Sequence, residues 1–379
     1  MRFSDDTWKI AKIGDVLTIE RGGSPRPIQN FVTRRLDGIN WIKIGDTSDD
    51  GYIYSAKEKI IPEGVKHSRK VKVGDLLLSN SMSFGKPYIL KINGCIHDGW
   101  LVIRDMDNKF SKEFLRNYLG SSFCISQYKK LAAGGVVTNL NKDLVCSAII
   151  KYPPMTSQEK IASFLCALDE RIRTQNKIIE DLKTLRKGII DSLFASSEYE
   201  ERLATFLQER KTYSEKGEGF EHVTLSKEGI CAKTERYDRD FLVTTEDKNY
   251  KITKQNDICY NPANLKFGVI CLNTYGDAIF SPIYVTFEVK NIDPYYLSLF
   301  LTSNRFIKKA LRYQQGTVYE RMAVNPEDFC KCKIPLNDNK TIQQTTKLVS
   351  LIDLKIKTEE SIIQKYKTQK DYLLANLFI

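Results

Sequence analysis

Side chains able to read nucleic-acid bases sit in short polar loops along this 379-residue chain. The stretch ERGGSPRPIQN (20–30) offers Ser24 and Arg26, and Arg34 and Arg35 follow it. KHSRKVK (66–72) adds cations, SNSMSFGK (79–86) offers Ser81, Ser83 and Lys86, and GGVVTN (134–139) ends in Thr138 and Asn139. The same kinds of residue return in the second half. TERYDR (234–239) holds Arg236 and Arg239, YNPANLKFG (260–268) holds Asn261, Asn264 and Lys266, and YQQGTVYER (313–321) holds Gln315, Thr317, Tyr319 and Arg321. Arg and Lys neutralise phosphates, whereas Asn, Gln, Ser and Arg match the donor–acceptor edges of bases in the major groove. Such loops are also ordinary turns, so composition has to support the reading. A net charge of +11 and a pI near 9.0 favour a polyanionic partner.

Motifs for catalysis are missing from the same chain. FGKP (84–87) lacks the first glycine and the hydroxyl of a phosphate loop, and no G-x-G-x-x-G is present. NPAN (261–264) lacks the second proline and the aromatic of an adenine-methyltransferase motif, and YPPM (152–155) lacks its Asn or Asp. Asp240, Glu246 and Lys248 imitate a nuclease D…E-x-K pattern, which a chain with 47 acids and 58 bases produces by chance. The nine cysteines form no C-x-x-C, only Cys330 and Cys332 lie close together, and none of the histidines (His67, His97, His222) lies near that pair. We therefore expect no metal site, and a reducing compartment. No apolar run nears the roughly 20 residues that span a bilayer, and the opening residues lack a signal pattern, so the expectation is a cytoplasmic protein with no membrane role.

Two long helices are expected to position these loops. A seam of Leu165, Leu168, Ile172, Ile179, Leu182, Ile189 and Leu193 alternates steps of three and four, with Gln175 and Arg186 as polar interruptions. Adding 184 to each number gives Val349, Ile352, Ile356, Ile363, Tyr366, Leu373 and Leu377, with Glu359 and Lys370 at the breaks. Asp169 likewise maps to Asp353, and Leu193-Phe194 to Leu377-Phe378. The lead-in segments 151–161 and 333–342 also agree, with Thr156 or Ser157, and Asn337 or Asp338, as expected N-caps. More faintly, 72–87 aligns with 253–269 through Asp75 and Asp257, and 131–140 with 313–322 through Gly134 and Gly316.

This internal repeat predicts an α+β chain of two pseudo-symmetric mixed α/β globules separated by two long antiparallel helices, an intramolecular coiled coil. The bounds are 1–155 and 197–336 for the globules, and 156–196 and 337–379 for the helices. A register in which paired numbers sum to 545 matches six apolar layers, from Leu168 with Leu377 to Leu193 with Ile352. It sets Arg186 against Glu359 and Gln175 against Lys370, polar pairs that would fix alignment. Helices packed each on its own globule, or paired between two chains, are the alternatives. About 38 helical residues make a rod of roughly 57 Å, a candidate ruler for DNA half-sites.

The two-halved plan resembles the specificity subunits of type I restriction–modification systems. The resemblance rests on PPMTSQEKIASFLCALDERIRTQNKIIEDLKTLRKGIIDSLF, its C-terminal copy ending in LLANLF, and the segments WKIAKIGDVLTIERGGSPR and DICYNPANLKFG…GDAIFSPIYVTF. It spans nearly the whole chain and is most specific in the helix repeats. It implies a non-catalytic subunit with two target-recognition domains, each reading half of a gapped site on double-stranded DNA. Two methylation subunits would dock on the helices, and endonuclease/translocase subunits would join them. S-adenosylmethionine, ATP and Mg are then expected on those partners, with no cofactor bound by this chain. Pro-Leu replaces Pro-Pro before the second helix, so the two docking surfaces need not be equivalent. Competing readings are a self-contained restriction endonuclease with a hidden metal-dependent nuclease, and a coiled-coil scaffold without a DNA role.

Overall fold

Each strand at the centre of the first unit is apolar on both faces, and the architecture explains why. A computed structural model describes residues 8–80, 84–132, 139–197, 199–214, 219–233, 249–315 and 322–378. It divides into two units, residues 1–179 with 358–379, and residues 180–357.

In the first unit the strands are β1 (Lys9–Lys12), β2 (Thr18–Arg21), β3 (Val32–Thr33), β4 (Ile39–Ile42), β5 (Tyr52–Ile53), β6 (Glu58–Ile60), β7 (Arg69–Val71), β8 (Leu76–Ser79), β9 (Pro87–Leu90), β10 (Gly94–Ile96), β11 (Trp100–Arg104) and β12 (Ile149–Tyr152). The helices are α1 (Ile13–Val16), α2 (Lys112–Leu119), α3 (Ser122–Ala132), α4 (Lys142–Ser147) and the start of α5 (Met155–Ala195). One sheet runs β2-β11-β8-β9-β5 and a second β3-β6-β4-β10-β7, while β1 pairs with β12.

Alternation along the central strands sorts their side chains between two cores. Leu77, Tyr88, Leu90, Trp100 and Val102 pack with Ile42, Val71 and Ile96 of the second sheet. Leu76, Leu78, Ile89, Leu101 and Ile103 point the other way, into a core shared with Phe114, Tyr118, Tyr128, Ile161 and Leu165 of the helices. A sheet covered on both sides reads as unbroken hydrophobic runs.

The second unit repeats the plan. Its strands are β13 (Tyr199–Arg202), β14 (Leu207–Glu209), β15 (Tyr213–Ser214), β16 (Glu221–Ser226), β17 (Gly229–Ala232), β18 (Tyr250–Thr253), β19 (Ile258–Tyr260), β20 (Ile270–Leu272), β21 (Ala278–Phe280), β22 (Val285–Val289) and β23 (Lys333–Leu336). Helices α6 (Pro294–Leu301), α7 (Asn304–Ala310), α8 (Pro326–Lys331) and α9 (Asn339–Asn376) follow in chain order. The sheets run β14-β22-β19-β20 and β15-β18-β21-β16-β17, and β13 pairs with β23. The lone parallel pairing among the described strands of each second sheet also matches, β4 with β10 and β16 with β21. Asp75 and Asp257 hold equivalent turns. The first accepts from Lys72 N (3.0 Å) and the second from Lys254 N (2.8 Å), and each meets an arginine, Arg104 or Arg210.

Helix ends complete both cores. In the first unit Leu373, Leu374, Leu377 and Phe378 of the chain's last segment join the core, and Phe378 packs 5.8 Å from Phe114 and 5.0 Å from Tyr118. In the second, Phe194 packs on Tyr296 and Phe300, with Ile190, Leu193, Ile342 and Val349 in the same cluster. Within each unit the helical segments run antiparallel: in the first, Asp169 meets Lys370 and Gln175 meets Glu359.

Two sequence expectations are corrected here. Arg186 pairs with Asp353, not Glu359, and Gln175 bonds Glu359, not Lys370, whose partner is Asp169. The two ion pairs sum to 539, six residues from the expected 545. The repeat alone treats the helices as an isolated pair, whereas Phe194 and Phe378 are buried in the domain cores, contacts that the seam does not contain. The N-cap expectation divides. Asp338 caps α9, accepting from Thr341 N at 3.0 Å, while Thr156 and Ser157 lie inside the first turn of α5 because that helix starts at Met155. Asn337 is buried and donates to Ser196 O instead.

Candidate nucleic-acid interface

In the first unit the loops converge on one corner, the residues His97-Asp98 that follow β10. Gly22 and Gly23 let the 20–30 loop cross the strand ends. A Cβ on Gly22 would collide with the His97 carbonyl, and one on Gly23 would sit 2.6 Å from the His67 carbonyl. This crossing brings Ser24 Oγ to accept from Asp98 N (3.4 Å) and Arg21 Nε to donate to Asp98 O (3.3 Å). Asn80, closing β8, donates from Nδ2 to the same carbonyl at 2.8 Å. Leu140 N in turn donates to Asn80 O (2.9 Å), which ties residues 139–140 to this corner.

Charges at the corner are balanced by Asp98. One carboxylate oxygen lies 3.0 Å from His97 Nε2 and the other 3.6 Å from Arg26. His97 Nδ1 accepts from Gly99 N at 2.9 Å. Burial lowers the His97 pKa; Asp98 opposes that shift, and the Lys43 and Arg26 charges add to it. A neutral imidazole donating from Nε2 to Asp98 satisfies both contacts. Arg26 is tethered yet 82% exposed, so its guanidinium faces solvent. Lys86 is exposed, and its backbone exchanges hydrogen bonds of 3.0 Å with Ser79.

Arg34 and Arg35 lie on the turn into β4, at the opposite end of that strand from Ile42, whose carbonyl His97 contacts. Both are exposed, and Arg35 grips Asp37 through Nε (3.0 Å) and Nη2 (2.7 Å). Asn139 is exposed near the corner. Ser81, Ser83 and Thr138 lie outside the described residues.

In the second unit the loop after β19 is built by Asn261. Its Oδ1 accepts from Ala263 N (3.1 Å) and Asn264 N (3.2 Å), and only 7% of the residue is exposed. Asn261 therefore organises the loop that presents Asn264, half-buried, and Lys266, exposed with its Nζ 5.0 Å from the Phe267 ring centre. Gly268, at φ +80°, closes the turn in a left-handed conformation that favours glycine. Pro262 O accepts from Val324 N (3.2 Å), the counterpart of the Asn80–Leu140 link. Gln315 exchanges backbone hydrogen bonds with Ala323 and donates from Nε2 to Asp328 at 2.8 Å, bracketing 316–321. Thr317, Tyr319, Arg321, Arg236, Arg239 and the nuclease-like Asp240, Glu246 and Lys248 lie outside the described residues. Among the described residues, no three His, Cys, Asp or Glu come together as a metal site would require.

A second constellation sits where each domain meets its helices, and only part of it had a sequence signal. Asp169 takes Arg116 Nη2 at 2.9 Å and the ammonium of Lys370. Arg116 is 5% exposed, donates to Asp50 O (3.1 Å) and lies 4.9 Å over the Tyr52 ring. In the second unit Asp353 takes Arg186 Nη2 (3.1 Å) and the Tyr295 hydroxyl (2.6 Å). Burial lowers the Arg186 pKa, but Asp353 outweighs it and the net shift is upward; burial and the Asp353 bond both raise that of Tyr295.

Each of the two sheet-rich units gathers polar and basic loops at a strand end and is closed by a long helix, so the chain is a structural duplication. Residues 5–184 match the family model described as the type I restriction modification DNA specificity domain, and the chain as a whole is similar to type I specificity subunits. A Methanocaldococcus jannaschii protein named as the specificity subunit of the type I restriction enzyme MjaX is 24% identical over 98% of this chain and 93% of its own. The HindI specificity subunit of Haemophilus influenzae is 22% identical over 49% of this chain and 40% of its own. The fold matches that of the S subunit of a type I system from M. genitalium, with a TM-score of 0.61, 14% identity, and coverage of 100% of this chain and 98% of that one. A chain from a type I system studied for complex assembly and conformational transition gives 0.59 at 15% identity over 97% and 96%.

Proposed function

We propose that this chain is the non-catalytic DNA-recognition subunit of a type I restriction–modification complex, reading a two-part gapped site with one half for each unit. The observation that carries this reading is the convergence of separate loops on the strand end after β8 in one unit and after β19 in the other. The backbone links Leu140–Asn80 and Val324–Pro262 occupy matching places. Phosphate contacts from exposed Arg34, Lys86 and Lys266 would supply affinity, and Ser24, Arg26, Asn139 and Asn264 would read base edges.

The long helices would dock two methylation subunits, with endonuclease/translocase subunits joining the assembly. Phe164 and Leu348 support this docking: they hold repeat-equivalent positions on α5 and α9, at 50% and 48% exposure. Transfer of a methyl group and use of ATP and Mg would then belong to those partners, in the cytoplasm. No helix among the described residues is long and apolar enough to cross a membrane.

Purified alone, the chain is expected to bind duplex DNA with an affinity that falls steeply as salt rises, and to neither cleave nor methylate it with Mg, ATP and S-adenosylmethionine supplied. Adding the methylation subunits should produce adenine methylation. Cleavage by the isolated chain would instead establish the self-contained nuclease.

A further inference from the structure

Asp169 and Asp353 are related by the 184-residue repeat, and so are their cationic partners Lys370 and Arg186. Each carboxylate also receives a third group from its own recognition domain, and these groups are not equivalent. The first is Arg116, in the middle of α2, and the second is Tyr295, at the start of α6. Different donors, from different turns of matching helices, thus reach the same acid in both units.

We propose that Asp169 and Asp353 are positioning residues that fix how each recognition domain is seated on its helices, and so set how strictly the protein keeps to one half-site spacing. The inference rests on the reading of the chain as a DNA-recognition subunit and adds a determinant that touches no DNA. Apolar contacts such as Phe378 on Phe114 and Phe194 on Tyr296 hold domain to helix without a preferred direction. Hydrogen bonds are directional. A carboxylate gripped by a helix on one side and a domain on the other resists rotation of the domain about the helix. Burial of Arg116 protects that grip from screening by salt.

The test uses the full chain assembled with its methylation subunits, on DNA carrying the two-part site with its natural spacer or one base pair more or less. Asp169→Asn and Tyr295→Phe each remove one part of the grip at nearly constant shape. Each is expected to lower the preference for the natural spacer by roughly threefold or more, while the penalty for a wrong base within either half-site stays as in the wild type. Asp353→Glu, which keeps a carboxylate for both Tyr295 and Arg186, should retain more of the spacer preference than Asp353→Ala. An unchanged spacer preference in both single variants would overturn the proposal. So would a uniform loss of affinity for every spacer accompanied by a lower melting temperature, because that is the mark of a structural role alone. Wild-type complex that selects no two-part site would overturn the functional reading itself, a result visible before any variant is made.

Discussion

Asp98 shows how an acid can serve a basic surface. It repels phosphate, yet its two oxygens hold Arg26 and His97 at defined places. An arginine held at one point and otherwise open suits bidentate contact with guanine better than a freely rotating one. Arg26→Ala is expected to cost about 1–3 kcal/mol of binding and to relax specificity at one base of one half-site. Arg34→Ala should weaken binding to all sequences alike and reduce the salt slope by about one. Fluorescence anisotropy over a salt series separates the two; equal loss on all sequences for both variants would place Arg26 on the backbone.

Loop membership made Ser24, Arg26, Lys86, Asn139 and Lys266 legible, because polar turn composition marks exposed backbone. Direction was not legible. Asn261 has the composition of a reader and faces its own loop, and Asp98 gave no signal because, His97 apart, its contacts come from Arg21, Ser24, Arg26 and Asn80, far along the chain.

At the scale of elements, the ends of the long helical segments finish the domain cores. Phe378 closes the first core and its repeat counterpart Phe194 the second. Phe378→Ala should destabilise the first unit by about 3–5 kcal/mol and leave the second near its wild-type protection, which hydrogen exchange resolves by segment. Equal loss in both units would contradict it. The ion pairs make a second test. A double-mutant cycle on Arg186 and Asp353 should give a coupling of about 0.5–3 kcal/mol, and one on Arg186 and Glu359 almost none.

Repeat arithmetic made both helices, their antiparallel sense and the Asp169–Asp353 equivalence legible. It misplaced the register because the apolar layers of such a seam are interchangeable and several neighbouring registers match almost equally well. The contacts that choose between them come from Phe194, Phe378 and Tyr295, residues whose domain contacts no helical pattern displays.

The whole molecule is a duplication whose halves kept a scaffold and changed its surface. The corner holding His97 and Asp98 in the first unit is Ser281 and Pro282 in the second, in the same turn: Trp100 N donates to His97 O and Tyr284 N to Ser281 O, both at 3.1 Å. The first turn carries the carboxylate of Asp98 where the second carries Pro282, so the two half-sites should differ in sequence. Reading of the site in two parts is tested by methylation-sensitive sequencing of a genome in which this chain is expressed with its methylation subunits. Methylated adenines are expected in a motif of two short, unlike elements separated by a fixed run of unread bases; a continuous motif, or no methylation dependent on this chain, rules that reading out.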